Sequence, residues 1–386
     1  MQDAEASVSR TATYRAEPVG SLLRPAPLKR LFEEIFSAHS SHAVQVLTDE
    51  ERGRLEELES VAEEAIREAV NRQLSIGLDV VTDGEMRRAH YVNSLFDAFG
   101  GLGENEQPEY FAGDEGVAPP PEPTAQQPLH IVDNPLAREI AFVRTLTDHP
   151  SKVTIQAPSS FYFPASSYSS GAYGSREEFV GHVVELSREL VRGAVEAGAR
   201  YVQFDYPLYP ALCDPEKRAE LVGALGEDAE SLLAKALVAD NAVLEGLPAG
   251  VTSGLHLCRG NFRSRWWAQG SLEPVAERMF GELRYDRLLV EWEDTERQGD
   301  YSALRFVPED GPVVVMGVVS SKLPELESDD EILRRMEAAA RYLDIGRLAI
   351  SPQCGFASVW YGNELSEDDQ WRKLELVTRT ANKIWD

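Results

Sequence analysis

The segment from residue 313 to residue 351 reads VVVMGVVSSKLPELESDDEILRRMEAAARYLDIGRLAIS. Its apolar runs Val313–Val319 and Leu348–Ser351 predict two buried strands. Between them, Ser328 and Glu331 have the spacing of a capping box, and the apolar positions that follow keep helical spacing. A strand, a helix and a second strand in this order predict an α/β fold with a parallel sheet.

The same alternation of apolar runs and amphipathic helices extends along the chain. Thr48 and Ser175, each three residues before a Glu, open two further helices. The predicted strands number eight: the run ending at Val19–Ser21, Gly77–Asp83, Val153–Gln156, Tyr201–Asp205, Val251–Cys258, Arg287–Glu291, Val313–Val319 and Leu348–Ser351. This pattern predicts a closed (β/α)8 TIM barrel. A doubly wound open sheet has the same local pattern, but no GxGxxG turn supports it.

One stretch interrupts the alternation. Residues 100–135 contain four prolines within five positions, at 119, 120, 121 and 123, with Glu and Gly nearby. Such a composition is typical of an extended surface segment. We therefore expect a single barrel domain over residues 1–386, with a surface insertion at 100–135 between the second and third strands.

Composition restricts the class of function. The net charge of −27 argues against partners such as nucleic acid or anionic membrane surfaces. No apolar run approaches the roughly 18 residues of a membrane helix, and the first residues lack the pattern of a secretory signal. Cys213, Cys258 and Cys354 are too few for a disulfide framework and suit a reducing compartment. We expect a cytoplasmic protein.

Side chains that can bind a metal follow three of the predicted strands. His256 and Cys258 lie two residues apart on one strand, so they project to the same face. Glu291 ends the next strand, and Cys354 follows the last one. A barrel places these strand ends on one rim, where the four side chains make a plausible tetrahedral zinc set. Two alternatives stay open: Cys354 is a buried core residue, or a neighbouring acid replaces Glu291.

A second group of polar residues belongs to the earlier strands. Asp83-Gly84-Glu85 and Gln203-Phe204-Asp205 end two strands, and two carboxylates there can bind an ammonium group, because Coulomb attraction is strong where water is scarce. Ser21, after Gly20, can donate its N–H and hydroxyl to a carboxylate. Together they would recognise an α-amino acid. The alternative is that Asp83 and Asp205 are turn or capping residues.

Arginines and aromatic residues accompany these motifs. Five arginines lie beside the motifs: Arg87, Arg88, Arg259, Arg263 and Arg265. Two alternatives apply to them: they bind an anionic part of a substrate, or they form salt bridges. The aromatic run Phe161–Phe163 forms either a stacking wall or part of the core.

The motifs and their order along the chain resemble those of the catalytic barrel of cobalamin-independent methionine synthase, from about Arg15 to the C-terminus. They are Val19-Gly20-Ser21, Asp83-Gly84-Glu85, Gln203-x-Asp205, His256-x-Cys258, Glu291 and Cys354. The resemblance implies a (β/α)8 barrel and a Zn²⁺ cofactor held by His256, Cys258, Glu291 and Cys354. It also selects Glu291 over Glu293. The residues that it implies for homocysteine are Gly20, Ser21, Glu85 and Asp205.

The chain departs from that family in three respects. It has about half the length of the two-barrel synthases, and so lacks the barrel that helps them bind folate. Asp205-Tyr206-Pro207 stands where they have Asp-Glu-Pro. Lys322 stands where they have a proton-donating histidine, and is therefore the implied catalytic residue. The chain is similar to the short, single-barrel relatives.

The resemblance implies a zinc-dependent methyltransferase that converts a small-molecule thiol, homocysteine, to its thiolate and forms methionine. The methyl donor is of the folate or corrinoid type; the weak acidity of lysine and the negative charge of the chain disfavour folate polyglutamate. Two alternatives stay open. One is a zinc-dependent alkyl transferase for another thiol, such as an epoxide:thiol transferase, and the other is a non-catalytic barrel with structural zinc.

Overall fold

A parallel sheet forms the centre of this structure, a computed structural model that describes residues 14–39, 42–103 and 121–385. The strands are β1 (Phe99–Gly103), β2 (Thr124–Ile131), β3 (Lys152–Gln156), β4 (Tyr201–Asp205), β5 (Thr252–Leu257), β6 (Arg287–Glu291), β7 (Val313–Val319) and β8 (Leu348–Pro352). The α-helices are α1 (Ala26–Phe36), α2 (Asp49–Gly53), α3 (Leu55–Ser75), α4 (Asn93–Phe96), α5 (Pro135–Leu146), α6 (Arg176–Glu196), α7 (Tyr209–Cys213), α8 (Pro215–Leu225), α9 (Ala229–Ala242), α10 (Glu273–Glu282), α11 (Thr295–Gln298), α12 (Asp329–Ala339) and α13 (Glu367–Trp385).

Strands β3 to β8 pair in parallel and in chain order. Helices cover the outer face of the sheet, and side chains fill its inner face, so β7 is buried at every position. Burial on both faces explains why β7 is an uninterrupted apolar run rather than an alternating one. The six predicted strands from residue 153 onward are confirmed.

Two short segments join β8 to β3 and complete the ring. Residues 15–17 exchange backbone hydrogen bonds of 2.8 and 3.2 Å with Ile350 of β8, and Asp79 N donates to Ala16 O at 2.9 Å. Val81 then exchanges bonds of 2.9 and 3.0 Å with the chain at the start of β3. The TIM-barrel prediction is therefore confirmed.

The first two predicted barrel strands are shorter than expected. Each is reduced to a single parallel bridge, at Ala16 and at Val81. The side chain of Asp79 explains part of the difference. Its Oδ2 accepts the N–H groups of Arg15 (2.6 Å) and Ala16 (2.9 Å). A carboxylate here satisfies N–H groups that a longer ladder would pair with carbonyls.

The predicted helix starts are confirmed. Thr48 forms a complete capping box with Glu51, and Ser175 and Ser328 cap α6 and α12 through their hydroxyls. The helix predicted from Thr48 onward is divided at Arg54 into α2 and α3. Among the described residues, no helix is long and apolar enough to cross a membrane.

The insertion contains a hairpin that was not predicted. Strands β1 and β2 pair antiparallel, with an irregularity between Gly100 and Leu102. Residues 104–120, with two of the four prolines, lie outside the described residues. The hairpin is tied to the barrel, because Leu129 N donates to Tyr173 Oη at 2.7 Å and Ala125 N donates to Ser167 O at 2.9 Å.

Charged side chains fill the interior of the barrel near the start of its strands. Glu17 is fully buried and accepts hydrogen bonds from Lys152 Nζ (2.8 Å), from Arg287 Nε and Nη2 (2.9 and 2.7 Å) and from Tyr201 Oη (3.0 Å). Gly254 leaves room for the tyrosine, since a Cβ there would lie 2.8 Å from its ring. This layer closes the barrel at the end opposite the candidate site.

Candidate functional site

Four potential metal ligands converge at the carboxyl ends of the strands. His256 lies near the end of β5 with Cys258 just beyond it, Glu291 ends β6, and Cys354 follows β8. Each offers one ligand atom, and the four atoms lie within 4.8 Å of one another. The structure thus brings together the four side chains that the sequence placed on one rim.

This donor set fits a metal ion. The sulfur atoms of Cys258 and Cys354 are 3.6 Å apart, well beyond a disulfide bond and near the roughly 3.8 Å between two sulfurs of a tetrahedral zinc site. Neither ring nitrogen of His256 meets hydrogen-bond geometry with a described residue, although the residue is only 2% exposed and interacts electrostatically with the Cys354 thiol. A buried imidazole without a well-formed hydrogen bond is costly, and coordination would satisfy it.

The two thiols are electrostatically unequal. The hydrogen bond between them lowers the pKa of Cys354 and raises the pKa of Cys258 well above its ordinary value; His256 lowers the former further. Because metals bind thiolates, filling the site requires that both cysteines be deprotonated.

Groups around Glu291 fix its orientation. Its Oε1 accepts the backbone N–H of Arg259 at 2.6 Å, and its Oε2 accepts Gln353 Nε2 at 2.9 Å. Such outer partners orient the ligands of metal sites. These roles were not predicted: Arg259 was considered only for its guanidinium and Gln353 was not considered, although each is the direct chain neighbour of a candidate cysteine ligand.

Lys322 lies beside the same carboxylate. Its Nζ is 3.8 Å from Glu291 Oε2, donates to Gly260 O at 2.5 Å and lies 4.6 Å from the centre of the Trp266 ring. The side chain is fully buried. Its amine is therefore already held by a carbonyl and by the ring, and its role as proton donor stays a prediction.

The residues predicted for an amino acid lie on the neighbouring strand ends. Gly20 packs against Glu85, since a Cβ on Gly20 would lie 2.7 Å from Glu85 Oε1. Ser21 packs against the residue after Cys354, where a Cβ would lie 2.1 Å from the serine Oγ. Asp205, at the end of β4, is the register partner of His256. Ser21 and Asp205 thus border the metal-ligand cluster, while Gly20 and Glu85 contact each other, and the charge of Glu85 acts on Asp205.

This pocket carries unpaired carboxylate oxygens. Asp83 Oδ2 and Glu85 Oε2 are buried and have no hydrogen-bond partner within the described ranges. Burial raises the pKa of Glu85, and burial raises the pKa of Asp205 to about 7 with partial compensation from His256. Glu85 also has a left-handed backbone (φ 56°), which non-glycine residues rarely adopt. A cationic ligand would satisfy these oxygens and favour their ionised forms.

The arginines near the motifs have partners within the protein. Arg88 pairs with Glu139 and Thr154 in the core, and Arg87 pairs with Glu59. The partners of the other three are Gly270 O for Arg259, the Tyr361 ring for Arg263 and Glu364 for Arg265. The salt-bridge alternative therefore describes Arg87, Arg88 and Arg265.

The predicted aromatic run divides between core and site. Phe161 packs against Phe179 in the core, at 5.6 Å between ring centres. Phe163 instead stacks on Tyr206 (5.3 Å) and meets the edge of Trp267 (5.5 Å). The last two were not predicted. Tyr206 directly follows β4, and Trp267 belongs to the segment after β5, where its backbone N–H donates to Arg259 O at 2.9 Å.

Fold and site together define a (β/α)8-barrel enzyme with a candidate metal centre at the carboxyl rim. The family described as "Cobalamin-independent synthase, Catalytic domain" matches residues 37–365. The chain belongs to this family, and by class it is a methyltransferase of the cobalamin-independent methionine synthase type. The family resemblance seen in the sequence is confirmed.

Individual relatives agree with this assignment. The chain is 33% identical to protein YxjH of Bacillus subtilis over 383 residues, which cover 97% of this chain and 96% of the relative. It is 25% identical to a methionine synthase of Pyrococcus abyssi, covering 78% and 80% of the two chains.

Solved structures share the fold. A putative vitamin-B12-independent methionine synthase from Listeria monocytogenes superposes with a TM-score of 0.71 at 26% identity, covering 97% of this chain and 99% of that one. A B12-independent methionine synthase from Shewanella sp. W3-18-1, solved with selenomethionine, gives a TM-score of 0.72 at 19% identity and covers 97% and 98%. At that identity the second likeness supports the fold alone.

Proposed function

We propose that this protein is a zinc-dependent methyltransferase that methylates the thiol of homocysteine and forms methionine. The observation that carries the proposal is the imidazole of His256, buried without a well-formed hydrogen bond against two thiols and the carboxylate of Glu291. Membership of the family supports the reaction class, and the acidic pocket beside the cluster supports an amino acid as the acceptor.

The candidate ligands specify the chemistry. Zinc held by them would keep a substrate thiol ionised near neutral pH, where a free thiol of pKa about 8.5 is mostly protonated. Glu291 carries the hardest donor of the set, and both of its oxygens already have partners in Arg259 and Gln353. It is therefore the ligand that we expect to yield its position to the substrate sulfur.

The pocket residues orient the acceptor. Glu85 and Asp205 bind the ammonium group of homocysteine, and Ser21 binds its carboxylate. Because Ser21 packs against Gly355 and Asp205 pairs with His256, an amino acid held there directs its short side chain toward the sulfur atoms of Cys258 and Cys354. The burial of these residues keeps water away from the thiolate, and this strengthens each electrostatic contact.

Isothermal titration of the zinc-loaded protein tests this proposal. We expect homocysteine to bind with release of a proton, because its thiol ionises on binding. The comparison ligand is 4-mercaptobutyrate, which is homocysteine without its amino group and keeps the thiol and the carboxylate at the same spacing. Tighter binding of a thiol without the amino group would favour an alkyl transferase for another substrate. Failure of every thiol to bind would indicate a structural zinc site.

The variant Glu85→Gln tests the ammonium contact. We expect the Kd for homocysteine to rise about 10- to 100-fold, because a buried charge-assisted hydrogen bond is worth about 1.5–3 kcal/mol. Binding of 4-mercaptobutyrate should stay unchanged. The matched control is Glu59→Gln, which removes an exposed partner of Arg87. An equal loss of affinity for both thiols would contradict the assigned role.

A further inference from the structure

Methyl transfer from an amine raises the question of a proton source. As the C–N bond breaks, the nitrogen retains the electron pair and needs a proton, which a positioned acid supplies. Lys322 occupies the position implied for this acid, but its Nζ donates to Gly260 O at 2.5 Å and lies over Trp266. A second acid lies on the same rim.

Glu122 of the insertion reaches that rim. It precedes β2, and its Oε1 accepts a hydrogen bond from Gln156 Nε2 at 3.4 Å. Gln156 ends β3 and is the register partner of Asp205, which is in turn the partner of His256. Gln156 and His256 are thus two strand spacings of about 4.8 Å apart. A substrate and the reacting end of a methyl donor can fill this distance.

The second oxygen of Glu122 is unpaired. Glu122 Oε2 is buried without a hydrogen-bond partner among the residues described, and so is Gln156 Oε1. A proton on the carboxyl group would supply the donor that these acceptors lack. Burial raises the pKa of Glu122 to about 8, and the bond from Gln156 offsets this only in part.

The surroundings of Glu122 contain no cation that favours its ionised form, within the described part of the chain. The charge of Glu122 acts on the pKa of two phenols, those of Tyr91, before α4, and Tyr206, after β4. Burial raises the pKa of each phenol well above its ordinary value, so both stay neutral. The charges of Cys258 and Asp205 also act on the pKa of Tyr91.

We propose that Glu122 is the general acid of the methyl transfer. The inference rests on the proposed function with an amine-type, folate-like donor. The substrate sulfur provides the electron pair of the new S–C bond, the C–N bond of the donor breaks, and the proton of Glu122 Oε2 passes to the departing nitrogen. Water then returns a proton to the carboxylate.

The variant Glu122→Gln tests this role in the zinc-loaded enzyme, with a methylated folate as donor. We expect kcat to fall about 10²- to 10⁴-fold, the usual contribution of a general acid, while homocysteine binding by calorimetry is unchanged. In the wild type, kcat should fall as the pH rises through about 8, because the acid must be protonated. This alkaline limb should be absent in the variant. The matched control is Asp133→Asn, an exposed residue of the same insertion.

Three results would overturn the inference: a variant with wild-type kcat and its alkaline limb intact, a variant with a raised donor KM but unchanged kcat, or a variant that no longer binds homocysteine. The last two would make Glu122 a binding residue. Failure of the proposed function can be distinguished from failure of this inference, because in the first case the wild-type protein itself would not bind homocysteine with proton release.

Discussion

Replacing Cys258 or Cys354 with Ser is expected to reduce bound zinc from about one ion per chain to near zero and to lower methyl transfer at least 10³-fold. A serine hydroxyl does not ionise at neutral pH and is a poor zinc ligand, so each change leaves three donors. The expected loss exceeds the 10- to 100-fold typical of outer-shell changes. Metal analysis and turnover of the purified variants measure both effects.

The third cysteine provides the control. Cys213 is buried in α7, where burial raises its pKa to about 11, and it is not among the clustered ligands. Cys213→Ala should retain zinc and activity. Circular dichroism shows whether each variant folds, which separates loss of the metal from loss of structure. Full zinc occupancy in both serine variants would remove the basis of the proposed function.

Glu17→Gln is expected to lower the free energy of unfolding by about 3–5 kcal/mol. Removing one partner of a buried ion cluster leaves its opposite charges uncompensated. Here Lys152 and Arg287 both depend on Glu17, and all three side chains are almost completely buried. Urea unfolding measures the difference. Glu245→Gln, which breaks an exposed pair with Arg188, should leave stability nearly unchanged.

The ionisation of Glu17 also predicts that the free energy of unfolding depends on pH. Burial alone would raise the pKa of Glu17, but Lys152 and Arg287 lower it by more, so the folded-state pKa lies below the ordinary value of 4.5. The stabilisation is therefore complete above pH 4.5 and is lost as the pH falls toward the folded-state pKa. The wild type should lose stability over this range, and Glu17→Gln should lose less. Parallel slopes for both proteins would contradict this account.

Sequence patterns were reliable where the determining interactions are local. Cap residues predicted the starts of α2, α6 and α12, because a hydroxyl that accepts an N–H three residues away depends on neighbours in the chain. The apolar runs predicted β3 to β8 for a related reason, since a strand buried on both faces carries apolar residues at most positions.

Long-range contacts escaped prediction. Glu17 has no local feature that marks it as buried, because its partners Lys152 and Arg287 lie far along the chain. Glu122 belongs to a proline-rich stretch that predicts only a surface segment, and its proximity to Gln156 depends on where the chain before β2 meets the end of β3. Gln353 likewise acquires its role from Glu291 on another strand.

By itself, the sequence determined which side chains end each strand, and therefore that His256, Cys258, Glu291 and Cys354 share one rim of any parallel barrel. Strand direction and the two-residue period decide this before the sheet closes. Only the tertiary structure decided the distances between these side chains, the partners of Lys322 and the approach of the insertion. Those depend on closure of the ring and on loop paths, which pair residues whose separation in the chain carries no periodic signal.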